Sequence, residues 1–247
     1  KGIKTWHEDL ANMPFSAHPL IDASGNMWNC GFAPYAGKSG KIVIYHIAPK
    51  TGLKKSHIVD LPFRGFMHDF AQTAESLIFL VPPYTFTNSN GRSFVEKFEW
   101  RANLGSRLLV VNKDDMSKQK WFELPSGFVF HFGHATEVNG NLQVNMCWYE
   151  DADLMGAGMN ELMASGIQRK PSLAYAVTAV ANMQTGQHTR TILRRRLRSR
   201  APDPLISPAA PRNPCRGEWR QGFFCGGAVG HPQDFFAQKK SRGRGAL

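Results

Sequence analysis

The sequence contains little cysteine and no long apolar run. Its 247 residues include four cysteines, and no two of them have C-x-x-C spacing. This argues against a zinc cluster or a disulfide framework, so a reducing cytoplasm is expected. No stretch approaches the run of about eighteen apolar residues that a membrane span needs. The first residues show neither an initiator Met nor the apolar core of a signal peptide. We therefore expect a cytoplasmic protein whose sequence begins inside a longer chain.

Acidic residues are also few, and the formal net charge is +11. Residues 194–247 hold twelve Lys or Arg against three acidic residues, which accounts for +9 of that charge. Proline, arginine and glycine dominate this segment, whereas phosphate-binding surfaces are usually patterned on a folded face. One interpretation is a basic tail that contacts nucleic acid. We favour another, in which residues 194–247 are out of frame or disordered, and we expect no nucleic-acid partner.

Short strands separated by turns dominate residues 1–193. Strands are predicted at 27–34, 41–47 and 57–61, while residues 84–93 are predicted to be irregular. A strand-turn-strand spacing of about ten residues is typical of antiparallel meanders. Sheets that recur about every fifty residues are typical of propeller blades. The sequence therefore predicts an all-β fold in which residues 1–193 form part of a β-propeller.

Residues 153–168 interrupt the strand pattern. The segment DLMGAGMNELMASGIQ places its Leu, Met and Ile residues on one helical face, although glycines weaken that pattern. We predict a short helical insertion here. It is interpreted either as a helix packed on the domain or as a Met-rich lid for a greasy substrate, because methionine adapts to irregular apolar surfaces.

A strong hairpin signal lies between residues 127 and 151. Alternation predicts that Phe128, Phe130 and Phe132 share one face of a strand and that His131 shares the other with small residues, Gly133 and Ala135. The dipeptide Asn139-Gly140 predicts a type I′ turn into the return strand. A lone imidazole on an open face is a candidate metal ligand.

Two further histidines have a comparable context. Pro19 restricts His18 to extended geometry at the start of a strand. His68 is predicted on a strand face with Phe66 and Phe70, with Asp69 opposite. Taken alone, each histidine is more often a buried core residue than a metal ligand, but histidines gathered from several blades onto one axis would make an imidazole site for iron, copper or zinc. Four further histidines are expected at the surface or in loops, namely His7, His46, His57 and His188.

Three motifs resemble successive motifs of the carotenoid cleavage oxygenases. They are Ser16-Ala17-His18-Pro19, then Phe66-Met67-His68-Asp69-Phe70-Ala71 with Thr73, then Phe128-Val129-Phe130-His131 with Ala135 and Glu137. This family includes the retinal pigment epithelium isomerase and bacterial stilbene-cleaving dioxygenases. The resemblance covers about residues 15–193, the central part of a family member.

The resemblance implies a seven-bladed β-propeller with Fe(II) held by four histidines. His18, His68 and His131 match the first three ligands, and no residue of this chain matches the fourth. The family uses O₂ to split an alkene bond of an apolar carotenoid, apocarotenoid or stilbene into two carbonyl products. Family members also use glutamates to orient the ligand imidazoles, and Glu137 is the candidate here. His134 should face away from the iron.

This chain is accordingly expected to be a truncated, inactive copy of a non-haem Fe(II) dioxygenase. Apolar substrates also favour peripheral contact of the protein with a membrane. Two alternatives remain open at this stage. One is a propeller-like binding module in which the histidines are structural, and the other is the basic-tailed protein that contacts nucleic acid.

Overall fold

The computed structural model describes residues 13–87, 93–166 and 173–193. They form three four-stranded antiparallel sheets and one two-stranded hairpin. Residues 167 and 168 of the predicted helical segment and the whole of 194–247 lie outside the described residues. The boundary placed at residue 193 therefore stays a prediction. In the part of the chain described, no helix has the length and apolar character needed to cross a membrane.

Each sheet is a meander in which every strand pairs with the next strand of that sheet, as in a propeller blade. Blade 1 contains β1 (Leu20–Ile21), β2 (Met27–Ala33), β3 (Lys41–Ala48) and β4 (Gly52–Asp60). Blade 2 contains β5 (Ala71–Gln72), β6 (Ser76–Val81), β9 (Ser106–Asn112) and β10 (Gln119–Leu124). Blade 3 contains β11 (Phe128–Val138), β12 (Asn141–Tyr149), β13 (Ala174–Asn182) and β14 (His188–Leu193). The predicted all-β fold is confirmed.

An extra hairpin interrupts blade 2. Between β6 and β9 the chain forms β7 (Tyr84–Phe86) and β8 (Phe98–Trp100), which pair with each other outside the blade. Short 3₁₀ turns at Val95–Lys97 and Ala102–Leu104 flank β8. The prediction of irregular structure from residue 84 is wrong for β7. A strand of three residues, such as β7, is too short to show a periodic pattern in the sequence. Its pairing partner β8 follows only after the 3₁₀ turn at Val95–Lys97.

The apolar core lies between the blades. Strand β6 is buried along its whole length because blade 2 is packed on both faces. Leu77, Phe79 and Val81 face the cluster shared with blade 1. Ile78 and Leu80 face the cluster shared with blade 3. Burial on both faces explains why this strand is continuously apolar rather than alternating.

Strand β11 departs from the predicted alternation. Register shifts occur between Val129 and Phe132 and between Phe132 and Ala135. Bulges of this kind change which face a residue occupies, so Val129, Phe132 and Ala135 all pack in the cluster between blades 2 and 3. Phe128 packs in a different cluster. The predicted face is therefore wrong for Phe132, which packs with Val129 and Ala135, and the face predicted to be open is covered at Ala135, which is buried.

The two remaining local predictions for this region hold. The backbone has φ of 51° at Asn139 and 72° at Gly140, and a type I′ turn needs positive φ at both positions. The helical insertion consists of a π-helical turn, Leu154–Gly158, that continues into α1, Met159–Ser165. The insertion packs on the domain through Met155, but Leu162 is 39% and Met163 is 80% exposed, so the prediction of a single apolar face is wrong for these two residues.

Candidate metal centre

The three singled-out histidines come from the beginning of three different blades. His18 lies two residues before β1, His68 lies three residues before β5, and His131 lies within β11. Because β1, β5 and β11 are the first strands of their sheets, equivalent positions of neighbouring blades meet at one place. The blade repeat, rather than closeness in sequence, brings the three side chains together.

Local hydrogen bonds fix the segment that carries His18. Asn29 of β2 accepts from the backbone N–H of Ser16 at 3.0 Å and donates to its carbonyl at 2.9 Å. The hydroxyl of Ser16 then accepts from the His18 backbone N–H at 3.1 Å. A fully buried asparagine thus ties the chain before β1 to the sheet, and Pro19 adds its restriction on His18.

His68 lies in a segment outside any regular strand ladder, because β5 begins only at Ala71. The predicted strand face is therefore wrong: Phe66 and Phe70 belong to different core clusters. Phe130 of β11 stacks on the His68 ring with centroids 3.9 Å apart and an interplanar angle of 14°. This stacking holds the plane of the imidazole from the neighbouring blade.

The three imidazoles face one another. The Nε2 atoms of His18 and His68 are 2.8 Å apart. The ring of His131 has its centroid 5.2 Å from that of His18 and 5.3 Å from that of His68. One nitrogen from each ring lies within 4.8 Å of the others. Each of the three side chains is partly exposed.

The His68 ring is suited to act as a neutral donor. Burial, followed by the neighbouring imidazoles of His18 and His131, lowers the pKa of His68 to about 4, and Asp69 opposes this only in part. At neutral pH the ring therefore carries no charge and keeps one nitrogen lone pair. A neutral imidazole nitrogen is the form that binds metal ions.

Asp69 is the polar partner that the sequence reasoning missed. Its Oδ2 lies 3.3 Å from Nδ1 of His131 and accepts from the backbone N–H of Phe132 at 3.2 Å. We predicted Asp69 on the opposite face from His68, which assumes a regular strand. The adjacent pair His68-Asp69 was the available signal, because a segment without ladder pairing can direct neighbouring side chains to one site.

The other two predicted positions lie elsewhere. Glu137 accepts a hydrogen bond from the hydroxyl of Thr73 at 2.6 Å, and it is not in the group of residues that could share a metal ion. Its proposed orienting role therefore has no contact in the described residues to support it. His134 is exposed and is likewise outside that group.

The donor set fits a divalent transition-metal ion. Metal to imidazole bonds of about 2.0–2.2 Å place adjacent ligand nitrogens roughly 3 Å apart, close to the His18–His68 separation. Two neutral nitrogens directed at each other also need a proton or a cation between them. Nitrogen donors suit iron, copper and zinc better than magnesium or calcium.

A cleft of about 190 Å³ adjoins His18 and His68. His18, His68 and Asp69 form its polar part, and the remaining wall is mainly apolar, with Phe15, Ala17, Cys30, Phe32 and Met67 among its lining residues. Burial raises the pKa of the Cys30 thiol, so this sulfur stays protonated and does not compete with the imidazoles as a thiolate.

The blades and the histidine cluster together define a β-propeller with a candidate metal centre at the first strands of its blades. A family model described as "Retinal pigment epithelial membrane protein" matches residues 1–212. The chain belongs to this family. The predicted resemblance to carotenoid cleavage oxygenases is confirmed, because curated relatives carry that description.

Two of these relatives illustrate the range of substrates in their names. The chain is 30% identical over 148 residues to a carotenoid 9,10(9',10')-cleavage dioxygenase of Crocus sativus, which covers 57% of this chain and 26% of the relative. It is also 30% identical over 150 residues to an isoeugenol monooxygenase of Pseudomonas nitroreducens, which covers 59% of this chain and 31% of that relative. The matched region thus spans about a quarter to a third of these relatives.

Solved structures show the same fold. A cobalt-substituted apocarotenoid oxygenase of Synechocystis superposes with a TM-score of 0.61 at 20% identity, covering 75% of this chain and 41% of that structure. The lignostilbene dioxygenase of Pseudomonas brassicacearum superposes with a TM-score of 0.56 at 22% identity, covering 72% and 37%. These similarities establish the β-propeller architecture. The total of seven blades stays a prediction.

Proposed function

We propose that the protein is a non-haem Fe(II) dioxygenase that cleaves a carbon-carbon double bond of a carotenoid, apocarotenoid or stilbene. The alkene and one O₂ give two carbonyl products, so each oxygen atom enters one product and no organic cosubstrate is consumed. The observation that carries this proposal is the convergence of His18, His68 and His131 from three blades onto one point. Curated relatives of the chain are named carotenoid cleavage dioxygenase and isoeugenol monooxygenase, which supports an oxidative reaction.

The three imidazoles would hold the iron, and iron bound there would supply a centre for activating O₂ beside the alkene. Imidazole ligands are neutral, so they leave the charge of the ion uncompensated and suit iron with open positions. Stacking on Phe130 keeps the His68 ring in place. In the described residues this metal-binding group has three members, and we propose that a fourth histidine of the whole protein completes it.

The cleft supports an apolar substrate. Its wall next to the histidines is formed by aromatic and aliphatic side chains, including Phe15, Phe32 and Met67. An extended polyene or stilbene gains about 25 cal/mol for each Å² of apolar surface that it buries against such a wall. The carbon skeleton carries no charge, so positioning depends on shape rather than on ion pairs.

Catalysis should be tested on the full-length protein, with residues 1–247 assayed in parallel. Each protein is loaded anaerobically with Fe(II), then given ¹⁸O₂ and a panel of apocarotenoids and stilbenes, and carbonyl products are followed by chromatography and mass spectrometry. We expect one labelled oxygen in each product from the full-length protein and little turnover by the 247-residue chain.

His131→Ala should abolish this turnover, because it removes one of the three imidazoles. His134→Ala is the matched control, since His134 lies on the same strand but is exposed, and it should retain activity. Equal activity of the wild type and His131→Ala would exclude the proposed centre. Stoichiometric binding with no alkene cleavage across the panel would argue instead for a binding module with structural histidines.

We also propose that the protein is cytoplasmic and contacts a membrane surface at its periphery. Carotenoids partition into lipid, so a cleaving enzyme obtains its substrate most readily at a bilayer surface. Flotation with phosphatidylcholine vesicles tests the membrane contact. Recovery of the protein only in the lipid-free fraction, with and without a carotenoid in the vesicles, would exclude it.

A further inference from the structure

We infer that Asp69 is a positioning residue that fixes the tautomer and orientation of His131 in the metal centre. This inference rests on the proposed function and adds to it a residue outside the three histidines. Asp69 comes from blade 2, directly after His68, whereas His131 belongs to blade 3. One short segment therefore supplies a candidate ligand and the orienting group for the next candidate ligand.

The contact favours one tautomer of the neutral imidazole. An ionised carboxylate only accepts hydrogen bonds, so we assign the proton of the neutral His131 ring to Nδ1, which lies 3.3 Å from Oδ2 of Asp69. The lone pair is then on Nε2, and this nitrogen is left for the metal. Orientation through the other ring nitrogen is how metal-ligating histidines are usually held.

His131 needs such a partner more than a core histidine would. Its side chain is 34% exposed, while that of Asp69 is 12% exposed. Packing alone therefore leaves the His131 ring partly free, and the better buried carboxylate provides the fixed point. Phe130 stabilises the ring plane of His68, so two neighbouring ligands are fixed by different means.

The same carboxylate also supports the bulged backbone of β11. Its Oδ2 accepts from the N–H of Phe132, which lies at the register shift that follows Val129. A bulge leaves a backbone group without its ladder partner, and Asp69 fills that place. Orientation of the ring and the conformation of the strand that carries it are therefore coupled to one side chain.

A carboxylate is required here rather than an amide. Oδ1 of Asp69 accepts from the Phe70 N–H at 2.8 Å, and Oδ2 faces the two N–H groups of His131 and Phe132. Both side-chain atoms must therefore be acceptors. An asparagine has one oxygen and one NH₂ group, so in either flip it places a donor against a donor.

The test uses cobalt(II) as the metal and the full-length protein. Wild type, Asp69→Asn and Asp69→Ala are made metal-free and titrated with Co²⁺ under anaerobic conditions, with the visible absorption bands of bound cobalt as the signal. We expect cobalt affinity to fall about 10-fold in Asp69→Asn and up to about 100-fold in Asp69→Ala, the usual range for loss of such a partner. The cobalt bands should also shift in Asp69→Asn.

Asp22→Asn is the matched control for a purely structural effect. Asp22 also accepts several hydrogen bonds, from Ser24, Asn26 and the indole of Trp28, but it lies outside the metal centre. We expect this variant to lose stability while its cobalt affinity and absorption bands stay unchanged. With iron and an alkene substrate, Asp69→Asn should lower kcat and leave KM within about twofold.

The outcomes separate the two proposals. Wild-type protein that binds no cobalt rejects both the metal centre and the role of Asp69. Wild-type binding with unchanged affinity and absorption bands in both Asp69 variants rejects the positioning role alone. If Asp69→Ala does not fold, Asp69→Asn decides, and an effect equal to that of Asp22→Asn also rejects the positioning role.

Discussion

The imidazole of His46 lies flat against the indole of Trp28, with ring centroids 4.1 Å apart and planes 7° from parallel. The two residues are direct register partners on β3 and β2. His46 is 9% exposed, and neither of its ring nitrogens has a hydrogen-bond partner within the described residues. The ring thus packs as an aromatic surface. Its two buried nitrogens without hydrogen bonds lower the free energy of unfolding.

This arrangement makes stability depend on pH. Burial, then Lys54 and Lys55, lowers the pKa of His46, and Asp22 opposes the shift. A lowered folded-state pKa means that the unfolded chain binds the proton more readily, so stability is full above the unfolded value of about 6.5 and falls as pH decreases below it. We expect His46→Phe to keep the stacking, remove this acid sensitivity and raise the unfolding midpoint at pH 5.5 more than at pH 8. Urea denaturation at the two pH values measures this, and an equal gain at both would contradict it.

Metal binding should stabilise the fold, because the three imidazoles come from three blades. At 100 times its dissociation constant, a ligand that binds only the folded state adds about 2.7 kcal/mol to the free energy of unfolding. We expect cobalt(II) to raise the thermal midpoint of the wild type and to have no such effect on His18→Ala. His188→Ala, an exposed histidine of β14, should keep the full response. A cobalt-induced rise in His18→Ala equal to that of the wild type would contradict the shared site.

Lys113 should contribute to the packing of blades 1 and 2. Its ammonium donates to the Thr73 carbonyl at 2.6 Å and to Gln72 Oε1 at 2.8 Å, and it lies 5.4 Å from the centre of the Trp28 ring. Lys113→Met leaves the buried Thr73 carbonyl and the partly buried Gln72 oxygen without this donor, which costs about 1–3 kcal/mol. Chemical denaturation measures the loss, with the exposed Lys120→Met as control. Equal stability of the two variants would show that the buried hydrogen bonds contribute little.

Gly127 should tolerate no side chain. A Cβ at this position would lie 1.8 Å from Cζ2 of Trp148, and Trp148 is 1% exposed, so the indole has no space to move. We expect Gly127→Ala to destabilise the protein by about 1–3 kcal/mol or more through overpacking. Gly156→Ala is the control, because its nearest neighbour would be the Tyr84 hydroxyl at 3.4 Å. Similar unfolding midpoints for the two variants would count against this packing argument.

The sequence predicted the blade pattern well because that pattern is local. Turn residues and short apolar strands recur along the chain, and the Asn139-Gly140 turn has the backbone that its residues favour. His46 was expected at the surface, yet it is buried, since Trp28 supplies a flat partner that lies on a different strand. Pairing across strands is not visible in the periodicity of either strand.

The candidate centre was only partly predictable for a related reason. The motifs around His18, His68 and His131 indicated which residues to compare, but their faces were derived from ideal alternation. Two bulges in β11 and the lack of a ladder before β5 overturn that assumption. Asp69 was consequently missed, because its contact with His131 depends on both irregularities at once.

The spacing of the three histidines has a consequence for how the chain can vary. His18 and His68 are 50 residues apart, and the interval to His131 is longer because the hairpin β7–β8 is inserted within blade 2. The insertion leaves the blade after β6 and returns at β9, at the end of the sheet where β5 begins. It is hydrogen-bonded to the chain just before His68, since the Phe66 N–H donates to the Tyr84 carbonyl and the Phe86 N–H donates to the Arg64 carbonyl. A change in this insertion would therefore reach the segment that carries His68. The turn between β5 and β6 lies at the opposite end of the blade, and there the chain can lengthen without altering that contact.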